Sequence, residues 1–280
     1  MCICMIPNIC YDYNIKINSY MLVWLKYIKK VMSKKQKVFV LSFVICTIGF
    51  LIVTYFLYNE RVLEKSVTQN NGNYVVLLHG LGRTSWSMQQ LGLALVDKGY
   101  KVININYPTK SDTIENLVEN TVKNELEQKY IDKTKQINFV THSMGGIVVR
   151  HLLENNKFEQ LNKVVMLAPP NHGSDMADMW SDVEVMNHVL GPALKQLTTD
   201  ETSFVNTMAP PEYEVGVIVG ENDEKVSPEK AMLENMTDYF VVQKKEHTYI
   251  MNDPDVIRAV IRFLENGEFS APGGQVDATL

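Results

Sequence analysis

Ser143 has the strongest chemical setting of any residue in this chain. It lies in Ile137-Asn138-Phe139-Val140-Thr141-His142-Ser143-Met144-Gly145-Gly146-Ile147-Val148-Val149-Arg150. An apolar strand-like run enters a turn of small residues and leaves as an apolar, helix-compatible run. That is the sequence form of a nucleophile elbow, a sharp strand-to-helix turn that exposes a serine hydroxyl. The turn needs small residues on both sides of the serine, because the helix folds back close to the strand. Gly145 supplies one, and Thr141 takes the other place, where glycine is usual. A serine hydroxyl becomes an effective nucleophile only beside a base that takes its proton. The elbow therefore predicts a histidine, an acid and donors for a developing oxyanion elsewhere in the chain.

Three segments answer that prediction. His247, in Lys244-Lys245-Glu246-His247-Thr248-Tyr249, is the only one of the six histidines that follows both the serine and the best acid loop. That loop is Gly220-Glu221-Asn222-Asp223-Glu224-Lys225-Val226. Asp223 is preferred as the acid, since a short carboxylate here can sit near a strand end while Val226 tucks into the core; Glu221 and Glu224 compete with it. Such a carboxylate can accept the Nδ1 proton of a histidine and fix its tautomer. The order Ser143, Asp223, His247 is the one that goes with a nucleophile elbow. The third segment is His79-Gly80-Leu81-Gly82-Arg83. Its backbone can approach a ligand, and the N–H groups of Leu81 and Met144 are the expected oxyanion donors, each worth about 3–4 kcal/mol in the transition state. His79 and His142 flank these loops, whereas His151, His172 and His188 read as ordinary helix or loop residues.

The elements that must position these groups alternate. Strands are predicted over 74–78, 101–105, 137–141, 163–167, 215–219 and 239–242, and helices over 86–98, 112–130, 145–156, 228–235 and 253–265. Strands so rich in Val and Ile, separated by helices, predict an α/β fold: a mainly parallel sheet of about six strands covered on both faces. Ligands of such sheets bind at the carboxyl ends of the strands, where all three segments fall. The roughly 210 residues involved suffice for one domain with a sizeable core.

These residues resemble the α/β-hydrolase superfamily, in particular small bacterial lipases and esterases with Ala-His-Ser-Met-Gly-Gly at the elbow. The resemblance runs over about 74–266. It rests on His79-Gly80-Leu81-Gly82, Thr141-His142-Ser143-Met144-Gly145-Gly146, Pro169-Pro170-Asn171-His172-Gly173-Ser174, the Asp223 loop and His247-Thr248. It implies a minimal α/β-hydrolase fold without the first two strands of larger relatives. It also implies Ser143 as nucleophile, His247 as base, Asp223 as acid, Leu81 and Met144 as oxyanion donors, and carboxylic-ester hydrolysis without metal or cofactor. An acyltransferase, thioesterase or amidase would use the same triad, and an inactive scaffold is the alternative outside enzymology. Between the fourth and fifth strands, residues 171–213 form a cap-like insertion. Its Met176, Met179, Trp180, Val183, Met186, Val189, Leu190, Leu194 and Leu197 read either as core or as an adaptable surface for an acyl chain.

Charge divides the chain. Residues 1–37 carry seven lysines against Asp12, a formal +6, so the remainder carries −11 of the total −5. Between them, Val38–Tyr58 contains no charge, and about 20 apolar residues in a helix span a hydrocarbon core. The basic flank predicts residues 1–37 in the cytoplasm and the rest outside, with 38–58 as a single-pass signal anchor in the cell membrane. The apolar run is too long for a cleaved signal peptide and lacks a small-x-small site. Met32 reads as an alternative start to Met1. Residues 59–73 read as a linker, 74–269 as the hydrolase domain and 270–280 as a disordered tail. The four cysteines, Cys2, Cys4, Cys10 and Cys46, all precede that domain, so it is predicted to use no disulfide and no cysteine-ligated metal. The expected partners are the membrane and a small-molecule or lipid ester; the acidic domain argues against nucleic acid.

Overall fold

A computed structural model describes residues 33–243 and 246–269. The readings on residues 1–32, including the start at Met1 or Met32, and on the tail 270–280 lie outside the described residues. The chain divides into two compact units between Tyr55 and Phe56. Helix α1 (Lys34–Gln69) contributes its residues up to Tyr55 to the first and those from Phe56 on to the second. It is long and apolar enough to cross a membrane by length and composition, with a mean hydropathy of 2.5 over its most apolar window and no residue of that window buried.

The second unit holds a six-stranded, wholly parallel sheet in the order β2-β1-β3-β4-β5-β6. The strands are β1 (Tyr74–Leu78), β2 (Lys101–Ile105), β3 (Ile137–His142), β4 (Leu161–Leu167), β5 (Val215–Gly220) and β6 (Asp238–Val242). The first two match their predicted spans and the others differ by one or two residues at an end. Successive side chains of a strand point to opposite faces, and β1 shows both faces buried. Tyr74, Val76 and Leu78 enter one core with Ile147, Val148 and Leu152 of α5 (Met144–Asn155), which follows α2 (Gln89–Asp97), α3 (Ile114–Leu117) and α4 (Lys123–Lys129) in the chain. Val75 and Leu77 enter the other, with Leu91 and Leu95 of α2 and the apolar face of Pro254–Asn266. Mostly apolar strands are legible in sequence for this reason, and the buried polar residues among them are few: Lys101 and Asn104 in β2, and Asn138, Thr141 and His142 in β3. The chain leaves β1 for β2 on one side and returns to β3 on the other. Strand order therefore reverses between β1 and β3, and crevices form at the carboxyl ends of such switch points.

The linker reading of 59–73 is corrected: residues up to Gln69 are helical, and this part of α1 closes the outer edge of β2. Leu63 is buried, packing against Gly92, where an added Cβ would lie 3.1 Å from its Cδ2. Ser66 Oγ accepts the N–H of Val102 at 2.9 Å and donates to Leu63 O. Lys101 Nζ donates to Val67 O at 2.8 Å. The segment looks like a linker because only a narrow stripe, Asn59, Leu63 and Ser66, is buried. Its other faces are polar, and Asn70-Asn71-Gly72 adds a turn signal.

The insertion folds as α6 (Asp175–Ser181), α7 (Glu184–Leu190), a 3₁₀ turn at Pro192–Leu197 and α8 (Phe204–Thr207). Its apolar residues split by face. Leu194 and Leu197 are core, with Trp180 and Leu190 packed against it, while Met179, Val183 and Val189 are exposed together with Val185. Helix α9 (Pro228–Ala231) ends earlier than the predicted 228–235, because Met232 turns to extended backbone. The last helix, α10 (Pro254–Asn266), is capped by Asp253 Oδ1, which accepts the N–H of Asp255 and Val256.

Candidate active site

Ser143 stands between β3 and α5 in a strained conformation, φ 53° and ψ −126°. Positive φ costs a non-glycine residue on the order of 1–3 kcal/mol and persists only where surroundings enforce it. Here they do. Ser143 N–H is tied to Leu167 O at 2.8 Å, and Gly146 N–H to Ser143 O at 2.8 Å. Helix α5 runs so close to β1 that a Cβ on Gly145 would stand 2.5 Å from Leu78 O. A Cβ on Gly80 would stand 3.0 Å from Ser143 Cβ. Thr141 is buried, and its Oγ1 donates to Val165 O at 3.4 Å. The Cβ that Gly146 lacks would lie 2.9 Å from Pro169 Cβ, but at an ordinary contact distance of 3.6 Å from Thr141 Oγ1. The second glycine of the Gly145-Gly146 pair thus makes room for Pro169.

The three predicted groups meet at this turn. Ser143 Oγ lies 2.9 Å from His247 Nε2, and His247 Nδ1 lies 2.8 Å and 3.0 Å from the two Asp223 oxygens. The Asp223 side chain is fully buried, and its Oδ1 also accepts the N–H groups of Lys225 and Val226, both at 2.9 Å. A carboxylate held by three donors is a fixed acceptor, so it draws the imidazole proton to Nδ1 and leaves Nε2 free to accept from the serine. Of the competing acids, Glu221 is exposed and Glu224 meets the backbone of His247, its Oε2 lying 3.4 Å from His247 N.

His142 belongs to the same assembly, a role that sequence reasoning missed. It is buried, and its Nε2 donates to His247 O at 3.0 Å. Burial, reinforced by nearby His247, holds its pKa well below the usual histidine range, so the ring is neutral. Its Nδ1 has no hydrogen-bond partner and sits where a Gly80 side chain would press on it, 3.0 Å away.

The loop after β1 is held by a second network. His79 is buried and stacked on Tyr107, ring centroids 4.4 Å apart. Tyr107 N–H donates to His79 Nε2 at 3.3 Å, which places the proton on Nδ1, 3.1 Å from Gly80 O. Desolvation lowers the His79 pKa to about 4. Tyr107 Oη donates to His79 O, and Thr109 Oγ1 accepts the N–H of Gly82 at 3.0 Å. Among the described residues, the N–H groups of Leu81 and Met144 make no hydrogen bond within the chain. Tyr107-Pro108-Thr109 also went unread; its only signal is its place at the carboxyl end of β2. His151 hydrogen-bonds within α5, and His172 and His188 are exposed. Among the described residues, no three His, Cys, Asp or Glu side chains are grouped to hold a metal.

A family model described as Domain of unknown function (DUF7379) matches residues 56–208, more than half of the chain. The chain belongs to this family. The match starts at Phe56, so the DUF7379 region includes the part of α1 that covers β2, together with β1 to β4 and the elbow. The chain is 29% identical over 128 residues to Triacylglycerol lipase 2 of Saccharomyces cerevisiae, over 41% of this chain and 39% of that protein. It thus spans well under half of that relative. Among solved structures it is similar to the mature Bacillus licheniformis lipase BlEst2, at 18% identity and TM-score 0.56, over 69% of this chain and 92% of that one. It is also similar to phospholipase PlaB of Legionella pneumophila, at 17% identity and TM-score 0.54, over 69% and 59%. Aspergillus fumigatus lipase B matches at 14% identity and TM-score 0.56, over 71% and 54%. The architecture of this DUF7379 chain is the α/β-hydrolase fold.

Proposed function

We propose that this chain is a membrane-anchored serine hydrolase that cleaves carboxylic esters through an acyl-enzyme on Ser143. The observation that carries this reading is the bridge made by His247, 2.9 Å from Ser143 Oγ and 2.8 Å from Asp223. Ser143 attacks the ester carbonyl while His247 Nε2 takes its proton, and Asp223 stabilises the imidazolium. The N–H groups of Leu81 and Met144 receive the oxyanion. His247 then gives its proton to the leaving alcohol, and a water activated by the same ring releases the acid. The names of the lipase and phospholipase relatives favour an ester or lipid substrate. In this reading Val38–Tyr58 is the anchor, the lysines keep the N-terminus in the cytoplasm, and the hydrolase domain works outside. The exposed apolar face of α6 and α7 would meet the acyl chain.

The test is labelling by a fluorophosphonate together with hydrolysis of p-nitrophenyl esters of increasing acyl length. Wild type should label at Ser143 and hydrolyse the esters, and Ser143→Ala should lose the label and about 10⁴- to 10⁶-fold in kcat. An unlabelled, folded wild type would refute the reading. A flat chain-length profile would remove the cap from substrate binding.

A further inference from the structure

Three cations reach the carboxyl edge of the sheet from three different loops. Arg83 follows the oxyanion loop after β1, and its guanidinium stands over the ring of Tyr249, 5.6 Å from the centroid. Tyr249 is exposed and lies two residues beyond His247. Lys110 follows β2, and its Cε lies 3.7 Å from the Cβ position of Gly82. Lys225 follows β5, and its Nζ donates to Thr248 Oγ1 at 2.9 Å, beside His247. The fields of Arg83 and Lys225 both reach the ring of His142, where they add to the larger effects of burial and His247. These charges therefore act at the residue that adjoins Ser143.

Little compensates them. Among the described residues, the one carboxylate within ion-pair distance of the three is Glu224, 4.0 Å from Lys225 Nζ, and Arg83 and Lys110 have none. The chain beyond residue 37 carries −11, so a group of cations at the carboxyl edge of the sheet runs against the charge of its surroundings. A cleft lined by one sign of charge concentrates ligands of the opposite sign, and the effect weakens with salt. Arg in particular offers a planar fork of donors that matches a carboxylate or phosphate.

We propose that Arg83, with Lys110 and Lys225, forms an anion subsite at the mouth of the Ser143 crevice, so that the preferred substrate is an ester with a negative charge close to the scissile bond. This rests on the ester-hydrolase reading. The shared chemistry is a carboxylate or phosphate, which a short acyl chain or a lipid headgroup can each supply.

The test uses the full-length chain in neutral detergent and two soluble esters of equal length, p-nitrophenyl valerate and mono-p-nitrophenyl glutarate. At low salt, kcat/KM for the glutarate should exceed that for the valerate by about tenfold, and the ratio should narrow in about 0.5 M salt. Arg83→Gln should reduce the ratio at least fivefold, and Arg83→Lys should retain most of it. A parallel pair, phosphatidylglycerol against phosphatidylcholine in mixed micelles, reads the headgroup source. Preference in either pair, lost in Arg83→Gln, supports the subsite and tells which part of the substrate is charged. Ser143-dependent hydrolysis with no anionic preference in either pair, or with a ratio insensitive to Arg83→Gln and salt, overturns the subsite alone. Failure to hydrolyse any of the four esters overturns the hydrolase reading and the subsite with it.

Discussion

His142 shows how much of the candidate site can rest on a residue outside the proposed triad. Its Nε2–H holds the carbonyl of His247 at 3.0 Å, so it fixes the backbone that carries the proposed base. Removing that donor lets His247 drift, and a displacement of about 1 Å can lower the rate about 10²-fold. His142→Leu should therefore reduce kcat by about 10- to 100-fold with KM little changed. His142→Gln, which keeps an amide donor at similar reach, should recover most of the loss. Equal losses in both variants, with unfolding excluded by circular dichroism, would argue against a positioning role. Ser143, Asp223 and His247 were legible in the sequence because each ends or follows an apolar strand and their chain order is informative. The role of His142 was not. It depends on a contact between residues 105 positions apart, and an elbow histidine with a bland role has the same local sequence.

At the scale of elements, the least legible was the 59–69 part of α1. A parallel sheet leaves unpaired N–H and C=O groups at its edges, and natural proteins cover them. Here a helix does so, with the Ser66 hydroxyl accepting Val102 N–H in a buried setting. Ser66→Ala leaves that donor without a partner, so it should lower stability by about 1–2 kcal/mol, measured as a shift in the urea midpoint. A change under about 0.3 kcal/mol would mean that water replaces the hydroxyl and the edge is open. The insertion gives the complementary lesson. Its apolar residues had two readings, core and exposed surface, and both kinds of residue occur. Composition could not separate them, because α6 and α7 are each seven residues long, too short for a periodic stripe to declare its face.

Across the whole molecule, the two neutral histidines tie stability to pH. His79 has a folded pKa of about 4, against about 6.5 when unfolded. The unfolded state therefore binds the extra proton between those values, and stability falls as pH drops from about 6.5 to 4. The contribution, full above pH 6.5, is on the order of 3 kcal/mol, with His142 acting in the same direction. Urea midpoints at pH 7, 5.5 and 4 should show this fall, and His79→Gln should flatten part of it. A wild-type profile no steeper than that of His79→Gln would refute the account. The pairing of a basic N-terminal segment with an acidic remainder is a second whole-chain property, and it was read from charge counts alone.

The sequence by itself determined the sheet, the elbow and the three groups that meet there. Strands buried on both faces are mostly apolar, and a serine turn needs glycine beside it, so these demands are written locally. Only the tertiary structure decided what covers β2, which face of the insertion is core, how Gly146 makes room for Pro169, and how His142, Tyr107 and Thr109 hold the loops. Each of those depends on distances of a few ångströms between residues tens of positions apart. Such distances follow from how the helices pack on the sheet, which no local pattern records.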